Sequence, residues 1–347
     1  MNQGFSHVRV PARFVALLAL SALLLASCAQ TAVVPPARLR GTPAISFSVP
    51  LSEVACTLND VCVATGAASN GLGPTSVAEF SSPKGNWFNL TLPSGAPILL
   101  TSVACAGDQC LLGGSRPGQD LLMSFATHGD ALSTLVAPTG GIGVSALACN
   151  AGECGLIDTG TTGEPRFSLS TDEGSTWTTP VALAWAKGDA ITAFSCASVD
   201  DCAVGVLTVG HQFALYLTTD EGATWTEATT PAAWTTLTSL SCLGKRCEGL
   251  ASTGTSSLLV RSKTFTRTWS STKLARAASA LACFTFNRCV VVGEGSSDKP
   301  WLATIRDADA TNVDLRYVPS PLLDVACGTK VCAAIGVTTL LSVPTNT

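Results

Sequence analysis

Hydrophobic positions along this chain fall in short runs, and the runs end alike. Val54-Ala55-Cys56, Val103-Ala104-Cys105, Leu147-Ala148-Cys149, Leu240-Ser241-Cys242, Leu281-Ala282-Cys283 and Val325-Ala326-Cys327 share one pattern, and Cys196 holds the matching place in a seventh run. A second cysteine follows five or six residues later in each case: Cys62, Cys110, Cys154, Cys202, Cys247, Cys289 and Cys332. A glycine usually comes soon after, as at Gly66, Gly113, Gly205, Gly293 and Gly336. The first cysteines are spaced by 41 to 49 residues. Each repeat reads as four strands: one ending at the first cysteine, one running from the second toward the glycine, and two more joined by a turn. Short strands at a period of 40–50 residues are the signature of propeller blades. The expected fold is therefore an all-β, seven-bladed β-propeller of four-stranded blades in residues 43–347. After Cys332 only two further strands are legible, while 44–50 matches 87–93 in phase. The N-terminal strand is expected to complete the last blade and so hide the sheet edges.

Paired cysteines also suit zinc, but structural zinc sites bring two such pairs together. Here each pair stands alone in its repeat. Seven hairpin disulfides are expected instead: Cys56/Cys62, Cys105/Cys110, Cys149/Cys154, Cys196/Cys202, Cys242/Cys247, Cys283/Cys289 and Cys327/Cys332. A ring this small is worth roughly 2 kcal/mol on loop-entropy arithmetic. No metal and no cofactor is expected.

Cys28 is the fifteenth cysteine and belongs to a different feature. Arg9 and Arg13 precede an apolar run from Phe14 to Ser27, the layout of an export signal. The run is shorter than the about 20 residues of a membrane-spanning helix. Its end, Leu25-Ala26-Ser27-Cys28, resembles the bacterial lipoprotein processing box, which implies cleavage before Cys28 and acylation of that residue. The expected organisation is a signal peptide at 1–27, a lipidated tether at 28–42 and the propeller beyond. The expected location is the extracytoplasmic face of a bacterial membrane, held through lipid on Cys28. An oxidising compartment also suits the disulfides.

The chain has 13% charged residues, a hydrophobic fraction of 46% and a net charge of −4. Disorder is excluded for the bulk of it. Its scattered basic residues give no nucleic-acid footprint.

A second motif marks the other end of two repeats. Ser170-Thr171-Asp172-Glu173-Gly174-Ser175-Thr176-Trp177 recurs as Thr218-Thr219-Asp220-Glu221-Gly222-Ala223-Thr224-Trp225, with worn copies at 81–87 and 262–269. It resembles the Asp-box, or bacterial neuraminidase repeat. The resemblance implies a structural turn built on Asp172, Gly174, Trp177, Asp220, Gly222 and Trp225, and no catalytic residue. Sialidases also need an arginine triad and a tyrosine nucleophile near the axis. Tyr216 and Tyr317 are placed away from it, and the family's N-terminal arginine motif is absent. The seven-repeat layout is similar to that of bacterial relatives of the photosystem II assembly/stability factor family, which implies a non-enzymatic scaffold at a membrane. Glu173 and Glu221 depart from that family, which has glycine there.

Strands alternate in direction, so the disulfide hairpins and Asp-box turns share one face. Loops joining strands two and three, and four and one, form the other. That second face is the expected binding face, with Arg116, Arg166, His211, Trp185, Trp234 and Trp301 as candidate contacts and Asp120, Asp298 and Lys299 nearby. Two roles are open to Trp185 and Trp234: recognising a sugar or a protein, or packing between blades. His211 suits a solvated loop better than a ligand or base. The expected function is a non-enzymatic, membrane-anchored scaffold with a protein partner. The alternatives are a cell-surface glycan-binding propeller and a sialidase-like glycoside hydrolase.

Overall fold

The structure, a computed structural model, describes residues 50–69, 74–81, 86–93, 97–127, 132–285, 287–294, 300–306, 309–314, 321–336 and 340–345. Among the described residues every element is a β-strand, and the strands form seven antiparallel sheets around an axis. Six sheets have four strands in chain order, spanning 51–90, 99–134, 141–182, 190–227, 236–273 and 280–314. The seventh, 322–344, has three. The expectation of seven four-stranded blades is thus corrected to six such blades and a three-stranded sheet. The segment expected to supply the missing strand lies, apart from Pro50, outside the described residues.

All seven disulfides form as the spacing predicts. In every sheet the two cysteines face each other across the first hairpin, as Cys56 faces Cys62 and Cys327 faces Cys332. Their Cα atoms stand 3.9–4.1 Å apart, close to the spacing of directly opposed antiparallel residues.

First strands line the axis, and most carry a bulge just before the cysteine. The register slips between Leu51 and Glu53, Leu100 and Ser102, Ile191 and Ala193, Leu237 and Ser239, and Leu322 and Asp324. A bulge bends its strand and re-aims the following side chain. Two of the repeated glycines answer to close backbone approach: a Cβ on Gly66 would lie 2.0 Å from the Pro50 carbonyl oxygen, and one on Gly293 would lie 2.4 Å from that of Ala277.

The core is divided among the junctions between sheets. Leu51, Val54 and Ala64 of the first sheet pack on Ile335 and Leu340 of the last, so apolar burial joins the two ends of the described chain. Ala148, Ile157 and Phe167 of the third sheet likewise meet Val204 and Val206 of the fourth. Such burial, at about 25 cal/mol per Å², is the main force holding one blade to the next.

Hydrogen bonds at the axis add direction to that packing. In four repeats the residue three before the first cysteine reaches the next sheet's backbone: Val103 N donates to Glu53 Oε2 at 3.0 Å, Leu147 N to Ser102 Oγ at 3.0 Å, and Leu281 N to Ser239 Oγ at 3.0 Å. Val54 N donates to Asp324 Oδ2 at 2.9 Å, which repeats the same link across the meeting of last and first sheets.

The two clean turns are built alike. Ser170 Oγ donates to Asp172 Oδ1, which also accepts the Thr176 amide at 2.8 Å, while Thr176 Oγ1 donates to Oδ2 at 2.7 Å. Thr218, Asp220 and Thr224 repeat this set at 2.8, 2.9 and 2.6 Å. These bonds, led by the threonine hydroxyls, hold both carboxyls below their ordinary range. Gly174 and Gly222 have φ of 86° and 81°, and a Cβ on Gly222 would lie 2.1 Å from the Phe167 ring of the preceding blade.

Candidate functional site

Two recesses open on the face formed by the loops between second and third strands and between blades. The larger, about 530 Å³, lies between the third and fourth blades and is bordered by Ile142, Ser145, Thr159, Trp185, Lys187 and Asp189. Two of its polar groups are hydrogen-bonded to backbone. Lys187 Nζ donates to the Thr162 carbonyl at 2.8 Å, and Asp189 accepts the amides of Ala186 at 2.9 Å and Val209 at 3.0 Å. Ile142 is 37% exposed at its border and Val209 is 67% exposed beside Gly188, so apolar surface meets solvent here.

The second recess, about 300 Å³, lies between the second and third blades and is lined by Arg116, Gln119, Asp120, Pro138 and Gly140 among others. Behind it three charged groups converge. Arg166 grips Asp158 with Nε at 2.8 Å and a second nitrogen at 2.7 Å, and its other guanidinium nitrogen donates to the Thr139 carbonyl at 3.0 Å. Asp158 is 1% exposed. Its hydrogen bonds raise the Arg166 pKa further. Both carboxylate oxygens of Asp120 are shielded from solvent, with the Gly143 backbone and the Asp158 carboxyl beside them. Burial, with Asp158 alongside, pushes the Asp120 carboxyl up to about 7.

The candidate contacts therefore separate. Arg116 is half-exposed at the end of strand Gln109–Arg116 and does border a recess. Arg166 is on the expected face but committed to Asp158. His211 is an exposed turn residue at φ 58°, its amide donating to the Thr208 carbonyl at 2.8 Å. The three tryptophans are corrected: Trp185 and Trp234 are 5% exposed and Trp301 is 2% exposed. Trp185 stacks against Tyr216 at 5.0 Å and meets Trp225 edge-on at 5.8 Å. Trp234 lies against Phe213 and Trp269. Trp301 sits in strand Pro300–Arg306, not in a loop, and donates its indole N–H to the Ala277 carbonyl at 2.7 Å. Of the two roles open to Trp185 and Trp234, packing between blades is the one adopted. Tyr216 lies in the third strand of its blade, Phe213–Thr219, whereas Asp298, Lys299 and Tyr317 fall outside the described residues.

Sequence reasoning missed the convergence of Asp120, Asp158 and Arg166, because residues from two repeats meet only when blades pack. The axial links of Glu53, Ser102, Ser239 and Asp324 left a usable signal: polar residues recur three places before the cysteine.

At the opposite end, the first cysteines of all seven pairs surround an axial depression of about 320 Å³. Glu248 lies near Cys283 and Cys289, but those sulfurs are bonded to each other and Glu248 is paired with Arg261 at 3.2 Å. The group does not fit a metal ion.

No family model and no curated protein matches this chain. Solved structures do. A structure described as YCF48 bound to D1 peptide aligns with a TM-score of 0.60 at 16% identity, covering 87% of this chain and 96% of that one. YCF48 from Cyanidioschyzon merolae gives 0.59 at 10% identity, with 88% and 99% covered. A catalytically inactive virginiamycin B lyase from Staphylococcus aureus, with quinupristin, gives 0.59 at 11%, with 87% and 98% covered. This chain has the β-propeller fold. The same likeness spans a peptide-bound protein and a lyase, so fold alone does not select an activity.

Proposed function

We propose that this protein is a non-enzymatic, exported propeller, tethered to a membrane through lipid on Cys28, that holds a protein partner on the face bearing the two recesses. The observation that carries this reading is the 530 Å³ recess, where Ile142, with Val209 close by Gly188, offers apolar surface beside hydrogen-bonded Lys187 and Asp189. Partly exposed apolar groups framed by fixed polar ones suit a protein's side chains. The peptide on one of the YCF48 structures is in keeping with such a role for the fold. A glycan reading loses its main support with the burial of the three tryptophans. A hydrolase reading would draw on Asp120 and Asp158, but Asp158 is committed to Arg166. The turns on Asp172 and Asp220 resemble Asp-boxes and act as structure in this reading.

The test is a crosslinked pull-down of the lipidated protein from its native membrane, run beside an Ile142→Asp, Val209→Asp variant. A stoichiometric protein recovered with the wild type and lost with the variant is the expected result. Equal recovery with both would move the partner to another face. A blank would turn attention to glycans.

A further inference from the structure

Charge on the face of the disulfide hairpins is sorted by sector. That face carries the turns between first and second strands and between third and fourth. In the first four blades, Asp60, Asp108, Glu153, Asp200 and Asp201 stand at the hairpin tips, and the turns of the third and fourth add Asp172, Glu173, Asp220 and Glu221. No lysine or arginine occurs among the described residues of these turns. In the other three sheets the sign reverses. Lys245, Arg246, Arg288 and Lys330 stand at the hairpin tips, Lys263 and Arg267 in the turn of the fifth blade, and Arg306 at the end of a third strand. Asp309, opposite Arg306 in register, is the one acid among the described residues there. The opposite face mixes signs within single junctions, as Lys187 and Asp189 do.

This surface is set before any partner arrives. Neighbouring blades are tied along it: Asn59 donates to Asp108, Gln109 to the Glu173 carbonyl at 3.1 Å, the Val199 amide to Glu153 at 2.6 Å, Arg246 to Asn287 at 3.0 Å, and the Lys330 amide to Asp60 at 2.8 Å. Near its centre Leu58 is 60% exposed at the border of the 320 Å³ axial depression.

We propose that this face is a contact between two copies of this chain, placed face to face about a two-fold axis that lies in the interface. A surface with one acidic and one basic half complements itself: rotation about the line dividing the halves sets each acidic half over the basic half of the other copy. In a ring of seven sheets that line passes beside the fourth and fifth blades and, across the axis, beside the first hairpin. The rotation therefore brings Lys245, Lys263 and Arg267 over the third and fourth blades of the second copy, where Glu173, Asp200 and Glu221 lie. It also brings the two Leu58 side chains together and covers both axial depressions. An apolar centre within a polar rim is the common anatomy of protein interfaces. Both recess-bearing faces then point outward, away from the contact.

Sedimentation of the full, oxidised chain in neutral detergent tests this. A dimer is expected at low salt, with Kd rising at least about tenfold in about 0.5 M salt, where exposed charges are screened. Carbodiimide treatment of mixed isotopically light and heavy protein should join Lys245 or Lys263 of one copy to Glu173, Asp200 or Glu221 of the other. The Lys245→Glu, Lys263→Glu, Arg267→Glu variant and the Glu173→Lys, Asp200→Lys, Glu221→Lys variant should each be monomeric alone and pair one-to-one when mixed. A wild type still monomeric at about 100 μM would overturn the proposal, as would crosslinks confined to other pairs or a dimer indifferent to salt and to both reversals. The wild-type salt response and crosslinks decide even if a variant fails to fold. Monomeric chains that capture a different, charge-complementary protein through this face would give it to that partner instead.

Discussion

Two sets of aspartates and glutamates in this propeller meet opposite fates. In the turns of the third and fourth blades, Asp172 and Asp220 lie at the surface, each collecting an amide and two hydroxyl donors, and their pKa values are lowered. At the axis and the second junction, Glu53, Asp324 and Asp120 are half-buried and their pKa values are raised. Donor count alone does not separate the sets, because Asp324 also accepts two amides. Water does: an exposed carboxylate keeps its hydration and gains donors, whereas a half-buried one loses part of its hydration, which two amides do not fully replace. The pH responses follow with opposite sign. Stability from the turns is present above the ordinary carboxylate range and lost as pH falls through the lowered values. Stability tied to the junction acids is lost as pH rises.

The sharpest break in this comparison lies inside one cluster. Asp158→Asn should destabilise the protein by about 3–5 kcal/mol, because it strands the half-buried Arg166 charge without its partner. Asp120→Asn, a few atoms away, should be neutral or stabilising at alkaline pH; thermal unfolding of both variants at two pH values checks the asymmetry. Next in size is Gly222→Ala, expected to cost about 3 kcal/mol by adding left-handed backbone strain to a clash with Phe167. Denaturant unfolding would show this as a lower midpoint at unchanged slope, and a neutral result would mean the turn shifts freely. Asp172→Ala should cost about 1–2 kcal/mol and reduce the loss of stability on acidification, read from Tm at acid and neutral pH. The smallest change should run the other way. Glu221→Gly places glycine at a φ of 59° and should stabilise by about 1 kcal/mol, since that region is unfavourable to a residue with a Cβ.

Much of the architecture was legible before any coordinates. Cysteine spacing predicted the seven hairpins, because a disulfide across a short turn is a local event. The Asp172 and Asp220 turns were equally readable, since each satisfies itself within eight residues. The candidate site was legible only as a face. Arg116 borders a recess there, but Arg166 proved to be held by Asp158, eight residues away in sequence and one strand away in the sheet. Trp185, Trp234 and Trp301 look alike in sequence to exposed recognition residues. Their burial depends on how closely the neighbouring blade approaches, which no local pattern records.

The sequence by itself determined the repeat, the strand order within each blade, the disulfide pairing and the chemistry of the two turns, all set by contacts between residues close in the chain. Only the tertiary structure decided which tryptophans left the solvent, which arginine was neutralised and which carboxyls lost their water. The tryptophans and carboxyls were decided at junctions between blades, where residues from different repeats meet and packing displaces water, and Arg166 by the strand pairing that sets it opposite Asp158 within one sheet.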